Sequence, residues 1–210
     1  MVNSKNGNYL IFIKMKKNNL ILMVFVCLTV LISCIKDITP TSLEITVQDN
    51  SGNIVSGASV KLYSSISDWT NATNQIGATQ YSDASGKVEF TGLSNIKYYW
   101  YVEKDCQNNF NGTNTTASAL VAEVTNLSSV VISGTGTLKL VSNSSYPYSI
   151  YINGTYAFDM NGGTIDYEDF MPTGFYTIRV LQVSGYSGYP TDETFTGTLG
   201  CGATLTTTFP

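Results

Sequence analysis

The sequence predicts an all-β protein, with two small β-sandwich modules in tandem after an N-terminal apolar segment. Short stretches of the chain alternate apolar and polar residues, which is the period of a half-buried strand. Clusters of Gly, Asn, Asp and Ser separate these stretches and are typical of tight turns. Beyond residue 33, no stretch keeps the 3.6-residue period of a helix.

The composition restricts the chemistry that the protein can perform. The chain has 210 residues, of which 43% are hydrophobic, enough to bury a core. Only 12% are charged and the net charge is -4, so there is no basic surface for nucleic acid. The absence of His excludes His-based acid–base catalysis, Ser-His-Asp and Cys-His nucleophile pairs, and His-containing metal sites. We therefore expect no enzyme, no catalytic residues, no metal and no cofactor.

The N-terminal segment has the parts of a secretory signal. Lysines precede a thirteen-residue run over residues 20–32 that only Thr29 interrupts, and Ser33-Cys34 follows. The run is shorter than the roughly 20 residues of a membrane-spanning helix. Leu31-Ile32-Ser33-Cys34 resembles the bacterial lipobox, which implies removal of residues 1–33 as a signal peptide and lipidation of Cys34. An ordinary secretory signal is the alternative, and Met15, which opens a signal of conventional length, is the expected true start.

The residues around the expected cleavage point bear on localisation. Cleavage leaves seven basic and 15 acidic residues, a formal charge of -8. Such an acidic body does not adhere to anionic headgroups by charge, so the membrane is a partner only through the lipid anchor. Lys36-Asp37, in a lipidated tether of residues 34–40, resembles the surface-export signal of some Gram-negative lipoproteins. The expected location is the bacterial outer membrane at the cell surface, with the periplasmic face as the alternative.

Residues 41–134 are predicted to form the first module. Strands are expected at residues 43–48, 58–63, 87–91, 98–104 and 128–133. Residues 107–127 could be read as a linker between modules, but the β-branched strand that follows them belongs to the first module. The boundary is therefore placed at Gly134-Thr135-Gly136, where two glycines free the backbone for a change of direction.

Two segments of this module carry a family resemblance. Residues 52–60 and 82–90, followed by a Tyr-rich strand, resemble the carboxypeptidase regulatory-like and Cna-B-like modules of the transthyretin-like sandwich class over residues 41–105. The resemblance implies a stalk, a spacer or a small binding domain. Some Cna-B relatives contain a Lys-Asn isopeptide bond with the Lys on the first strand. Here that strand has Glu44 and no Lys, so the bond is not expected.

Residues 135–210 are predicted to form the second module. Strands are expected at residues 138–140, 148–152, 156–158, 175–183 and 203–209, and Asn153-Gly154 is a strong hairpin signal. Residues 147–154 and 172–178 resemble PEGA-type surface modules over residues 136–185, although the eponymous tetrapeptide is absent.

Two cysteines remain after cleavage and lipidation. Cys106 and Cys201 lie one in each module, in an oxidising compartment. The sequence leaves two alternatives, a disulfide between them or two separate thiols. Two thiols without His supply only half of a tetrahedral shell, so they do not predict a metal site.

Aromatic residues are the main candidates for a binding site. Many proteins hold sugar rings on exposed aromatic faces near Asn and Asp. The candidate glycan-binding residues lie on a predicted strand or in predicted loops: Trp69, Tyr99, Tyr101, Tyr186 and Tyr189. The alternative is that these side chains only cover the sheets. Asp166 and Glu168 are expected to share a solvated strand face rather than to bind calcium.

These observations predict a non-enzymatic, lipid-anchored cell-envelope protein that acts as a binding or structural spacer module. The alternative is an accessory glycan-binding surface lipoprotein of a nutrient-uptake system. The expected partners are a glycan or another envelope protein, besides the membrane.

Overall fold

The computed structural model describes residues 39–210. Within that range the chain forms one short helix, α1 (Ile66–Asn71), and thirteen strands. The strands are β1 (Ser42–Asp49), β2 (Ser59–Tyr63), β3 (Ile76–Tyr81), β4 (Lys87–Thr91), β5 (Tyr99–Lys104), β6 (Gln107–Asn108), β7 (Thr125–Ser142), β8 (Tyr148–Ile152), β9 (Thr155–Met160), β10 (Ile165–Pro172), β11 (Gly174–Gln182), β12 (Asp192–Leu199) and β13 (Thr204–Phe209). The predicted all-β class is confirmed.

The first hydrophobic core lies between two sets of strands. Strands β3, β2, β5 and β6 pair in that order, while β4 and β7 flank β1. The β1–β7 pair is parallel, with Ser42 opposite Thr125, and the β1–β4 pair is antiparallel. Alternate side chains of these strands point inward because of the period of two, and Leu43, Ile45 and Trp100 are among those fully buried.

A second core forms in the same way further along the chain. Strands β10 and β13 flank the C-terminal half of β7, and β12, β11, β8 and β9 form a four-stranded antiparallel sheet. The residues that fill the space between these sheets include Leu140, Tyr148, Ile178 and Phe209. Asn153 and Gly154 both have positive φ, 51° and 81°, and close the β8–β9 hairpin as the sequence predicted.

Strand β7 belongs to both sets of sheets. Ile132 lies in the first core and Leu138 in the second, so the cores separate around Gly134-Thr135-Gly136. The strand nevertheless continues through these glycines instead of ending there. The sequence predicted a change of chain direction at Gly136. The structure instead requires glycine there because an added Cβ would lie 2.6 Å from the carbonyl oxygen of Ala203. Close backbone approach, not a turn, explains this glycine.

Helix α1 was not predicted, and it corrects the placement of Trp69, which was expected in a loop. Ser65 caps the helix, because its Oγ accepts a 3.1 Å hydrogen bond from the Asp68 backbone N–H. Ala72 ends it in the left-handed conformation, with φ 51°. Six residues are too few to show a helical period in the sequence.

Strand β10 corrects the expectation for Asp166 and Glu168. They share one face, as expected, but they lie opposite Leu140 and Leu138, whose side chains are buried. Both carboxylates are therefore half-buried on the core side of an edge strand, not on a solvated face. Inward-pointing charges of this kind discourage further pairing at a sheet edge.

Candidate functional site

An apolar cavity of about 250 Å³ lies beside α1, at the junction of the two cores. Its walls include the side chains of Tyr63, Trp69, Tyr101, Phe110 and Phe170. Three of these rings stack: Trp69 and Phe110 have centroids 5.8 Å apart, and Phe110 and Phe170 have centroids 4.9 Å apart. Each pair is inclined by 24°, close to parallel.

Hydrogen bonds hold the Trp69 ring and the backbone at Phe110 and Phe170. The Trp69 indole Nε1 donates to the carbonyl oxygen of Trp100 at 2.9 Å. The Phe110 backbone N–H donates to Asn108 Oδ1 at 3.0 Å. The side-chain amide of Asn111 donates to the carbonyl oxygen of Phe170 at 2.7 Å. The aromatic wall is therefore held from both sides of the junction, by the first module and by β10.

A second, more polar cavity of about 300 Å³ adjoins the first. Both cavities are lined by Tyr101 and Phe170, and these two neighbouring cavities are together named the junction groove. The polar end of the groove presents three carboxylates, those of Glu103, Asp105 and Asp169.

The charges in the junction groove are partly compensated. Lys61 Nζ lies 3.7 Å from Glu103 Oε1 and 5.6 Å from the centre of the Tyr101 ring. Asp169 Oδ1 accepts a 2.7 Å hydrogen bond from the Thr137 hydroxyl. Burial, and then the nearby Glu103 carboxylate, raises the pKa of Tyr101 well above its usual range, so this phenol stays protonated. With three carboxylates and one ammonium, the groove carries excess negative charge.

Backbone strain is concentrated around the groove. Ala72, Asp105 and Phe170, with φ of 51°, 55° and 56°, all line it. They are three of the six non-glycine residues with positive φ among residues 39–210. Phe170 also lies in an irregularity of β10, where the register with β7 shifts between Glu168 and Met171. This bulge leaves Asp169 and Phe170 exposed in succession and turns both toward the groove.

The structure brings two of the five aromatic candidates together and separates the others. Trp69 and Tyr101 line the junction groove. Tyr99 lies under Lys97, whose Nζ is 5.9 Å from its ring centre. Tyr186 and Tyr189 are exposed in the segment between β11 and β12, and Tyr189 is 96% accessible. These last three do not line either cavity of the groove.

Sequence reasoning missed Phe110 and Phe170. Phe110 lies within Asn108-Asn109-Phe110-Asn111-Gly112, a composition typical of a linker. A lone aromatic residue among Asn and Gly was the available signal. Phe170 gave none, because only the bulge exposes it.

Cys106 and Cys201 form a disulfide, with their Cα atoms 5.5 Å apart. Cys106 lines the polar end of the junction groove. The bond covalently joins the β5–β6 turn of the first module to the β12–β13 turn of the second.

Other predicted sites lie outside the described residues. The signal peptide, Cys34 and the Lys36-Asp37 pair precede residue 39 and remain predictions. Within residues 39–210, no helix combines the length and apolar character needed to cross a membrane. The same residues contain no group of three or more acidic or cysteine side chains suited to hold a metal ion.

On β1, where the sequence offers Glu44 and no Lys, Glu44 forms an ion pair with Lys87, with 2.7 Å between Oε1 and Nζ.

Comparisons with known proteins give similarity to solved structures only. No protein-family model matches the chain, and no curated protein matches it. The chain is similar to a streptococcal ancillary pilin, at 17% identity and TM-score 0.39, over 82% of this chain and 63% of that one. It is similar to the Bacillus anthracis TIE protein at 14% identity and TM-score 0.35, over 81% and 34%. It is also similar to GBS52, the minor pilin of Streptococcus agalactiae, at 14% identity and TM-score 0.31, over 80% and 94%. The chain thus spans less than two thirds of the first two structures.

Proposed function

We propose that this protein is a non-enzymatic, lipid-anchored component of the bacterial cell envelope that acts as a structural spacer. Strand β7 carries the proposal, because its buried side chains belong to both cores. At about 3.3 Å per residue, its 18 residues extend over roughly 60 Å. A strand shared by two cores resists bending at the junction, whereas a flexible linker does not.

Contacts beside β7 also favour a stiff junction. The Cys106–Cys201 disulfide crosses it, and the Asn108 side chain donates a 2.8 Å hydrogen bond to Thr135 Oγ1. The Thr135 backbone N–H in turn donates to the carbonyl oxygen of Cys106 at 2.9 Å. These contacts lie at the point where a hinge would otherwise form.

The anchor in this proposal is a lipid on Cys34. The seven residues 34–40 can span at most about 25 Å, which holds the first module near the membrane surface. Lys36-Asp37 supports outward display on the outer membrane, and the periplasmic face is the alternative.

Accessibility on intact cells tests the anchoring and the surface display in this proposal. An epitope tag is inserted in the exposed Asn153-Gly154 turn of the full-length protein, produced in a Gram-negative host that displays lipoproteins. We expect antibody binding to intact cells, and loss of the cell-associated signal in Cys34→Ala. Replacing Lys36 and Asp37 together by Ala is expected to confine the signal to cells with an opened outer membrane. A cell-associated signal that persists in Cys34→Ala would contradict lipid anchoring.

A second function, accessory glycan binding for a nutrient-uptake system, is favoured by one observation. Trp69 and Tyr101, distant in the sequence and selected as aromatic candidates, line the same cavity. Clefts lined by aromatic side chains with a few polar groups are typical of small-ligand sites. Binding of the purified lipoprotein to an oligosaccharide array tests this function.

A further inference from the structure

We infer that the junction groove binds an uncharged carbohydrate chain, with one sugar ring against the aromatic wall and the next beside the carboxylates. This inference rests on the second proposed function and assigns it a place and a ligand class.

The aromatic end of the groove suits the C–H face of a pyranose ring. Trp69, Tyr101, Phe110 and Phe170 present apolar surface there, and aromatic rings gain free energy when such surface covers them. Phe110 and Phe170 remain 46% and 42% exposed despite their mutual stacking. Because both residues line the cavity, this exposed area is available for a ligand.

The polar end of the groove suits sugar hydroxyls. Carboxylates accept hydrogen bonds from O–H donors, and such charge-assisted bonds are stronger than neutral ones. Lys61 compensates Glu103, and Thr137 donates to Asp169. Asp105 has no cation within ion-pair distance among residues 39–210. It is therefore the acceptor most available to a ligand.

The sign of the charge selects the class of sugar. The groove has more carboxylates than ammonium groups, and after cleavage the whole chain carries a formal charge of -8. Both features repel uronic acids and sulfated sugars. An uncharged chain avoids this repulsion and keeps the hydroxyl donors that the carboxylates require.

The groove is held in shape before any ligand arrives. Left-handed backbone at a non-glycine residue is unfavourable, and such residues occur most often at binding and catalytic sites. Ala72, Asp105 and Phe170 adopt it at the groove. The bulge at Phe170, fixed by the Asn111 hydrogen bond, places a strained aromatic residue where the two cavities meet. Preorganisation of this kind lowers the ordering cost of binding.

The test uses the full lipidated protein in detergent, with neutral oligosaccharides of glucose, xylose and mannose as probes and polygalacturonate as the acidic probe. Affinity is measured by titration calorimetry for every probe that the array shows to bind. We expect Tyr101→Ala to weaken neutral-sugar binding about tenfold or more. Asp105→Asn removes the charge but keeps a residue that tolerates left-handed backbone. We expect this variant to bind neutral sugars several-fold more weakly and polygalacturonate more tightly than the wild type does.

Matched controls are Tyr186→Ala and Tyr189→Ala, which remove exposed aromatic rings outside the groove. Their affinities should stay at the wild-type value, and circular dichroism should show that every variant keeps the wild-type fold. If these controls lose binding and Tyr101→Ala does not, the junction groove is not the binding site, although the protein still binds glycans. Tighter binding of polygalacturonate than of neutral sugars would overturn the ligand class. Binding of basic peptides with no glycan binding at all would overturn both the inference and the second function.

Discussion

The side-chain amide of Asn111 donates a 2.7 Å hydrogen bond to the carbonyl oxygen of Phe170, across 59 positions of sequence. Asn111 lies in the segment that follows β6 in the first module, and Phe170 lies in the bulge of β10 in the second. The bond therefore ties the two modules together beside the junction groove. It also stabilises the carbonyl of a residue in the left-handed conformation.

Replacing Asn111 by Ala should weaken this tie. The bond is exposed to water, so we expect the free energy of unfolding to fall by about 0.5–1 kcal/mol. Urea denaturation measures the change. Asn95→Ala is the control, because Asn95 is exposed and lies away from the junction. Equal effects of the two substitutions would show that the inter-module bond does not contribute.

The disulfide should contribute more than any single hydrogen bond. Cys106 and Cys201 close a loop of 95 positions, for which the chain-entropy model gives about 4–5 kcal/mol. Replacing both residues by Ser should lower the free energy of unfolding by about that amount. Guanidinium denaturation measures it, with the wild-type protein under reducing conditions as a parallel sample. A loss below about 1 kcal/mol would show that strain in the native state offsets the entropic gain.

Gly136 should not tolerate a side chain. An added Cβ would lie 2.6 Å from the Ala203 carbonyl oxygen and 2.8 Å from that of Gly200, both backbone atoms that cannot rotate away. We expect Gly136→Ala to destabilise the protein by about 1–3 kcal/mol. Gly188→Ala is the matched control, since an added Cβ there meets no atom within 4 Å. A neutral Gly136→Ala would mean that β7 and the β12–β13 turn separate easily.

Ala72→Gly should stabilise the protein. Ala72 ends α1 with φ 51° and ψ 38°, a conformation that glycine adopts without steric cost. We expect a gain of about 1 kcal/mol in the free energy of unfolding. Ala78→Gly, in strand β3, should instead lower stability by about 0.5–1 kcal/mol, because glycine weakens a strand. Thermal denaturation of both variants distinguishes relief of strain from a general effect of glycine.

Glu168→Gln should stabilise the protein at neutral pH only. Burial, and then the charges of Asp166 and Asp169, raises the pKa of Glu168 above its ordinary value of 4.5. The charged carboxylate therefore destabilises the folded state at pH 7, and this penalty disappears as the pH falls below the unfolded value. We expect a gain of less than about 1 kcal/mol at pH 7 and none at pH 3. The gain should shrink in an Asp166→Asn background; an equal gain at both pH values would contradict the electrostatic cause.

Strands with clean alternation could be predicted from the sequence, and the others could not. Residues 87–91 and 148–152 coincide with β4 and β8 because buried positions alternate with more accessible ones there. Strand β12 was missed, and β10 was anticipated only through the strand face of Asp166 and Glu168. In β10 the bulge breaks the alternation, and in β12 Thr and acidic residues occupy an edge strand with little buried surface. Strand pairing, not local propensity, determines these elements.

The junction groove could be predicted only in part. Trp69 and Tyr101 were selected as exposed aromatic residues, but nothing in the sequence places them in one cavity. Their proximity depends on the pairing of β2 with β5 and on the packing of α1 against these strands. Phe170 reaches the groove through a one-residue irregularity of β10, which depends on tertiary structure. Sequence periodicity carries no information on such a shift.

The parallel pairing of β7 has a mechanical consequence. Strand β1 begins at Ser42, beside Thr125 at the first end of β7. Strand β13 ends at Phe209, beside Ser142 at the last end of β7. When these two strands are pulled apart from their outer ends, the force runs along β7. Both ladders are then loaded in shear, so their hydrogen bonds share the force instead of opening one after another. The two modules therefore withstand tension together, and neither unzips from its end.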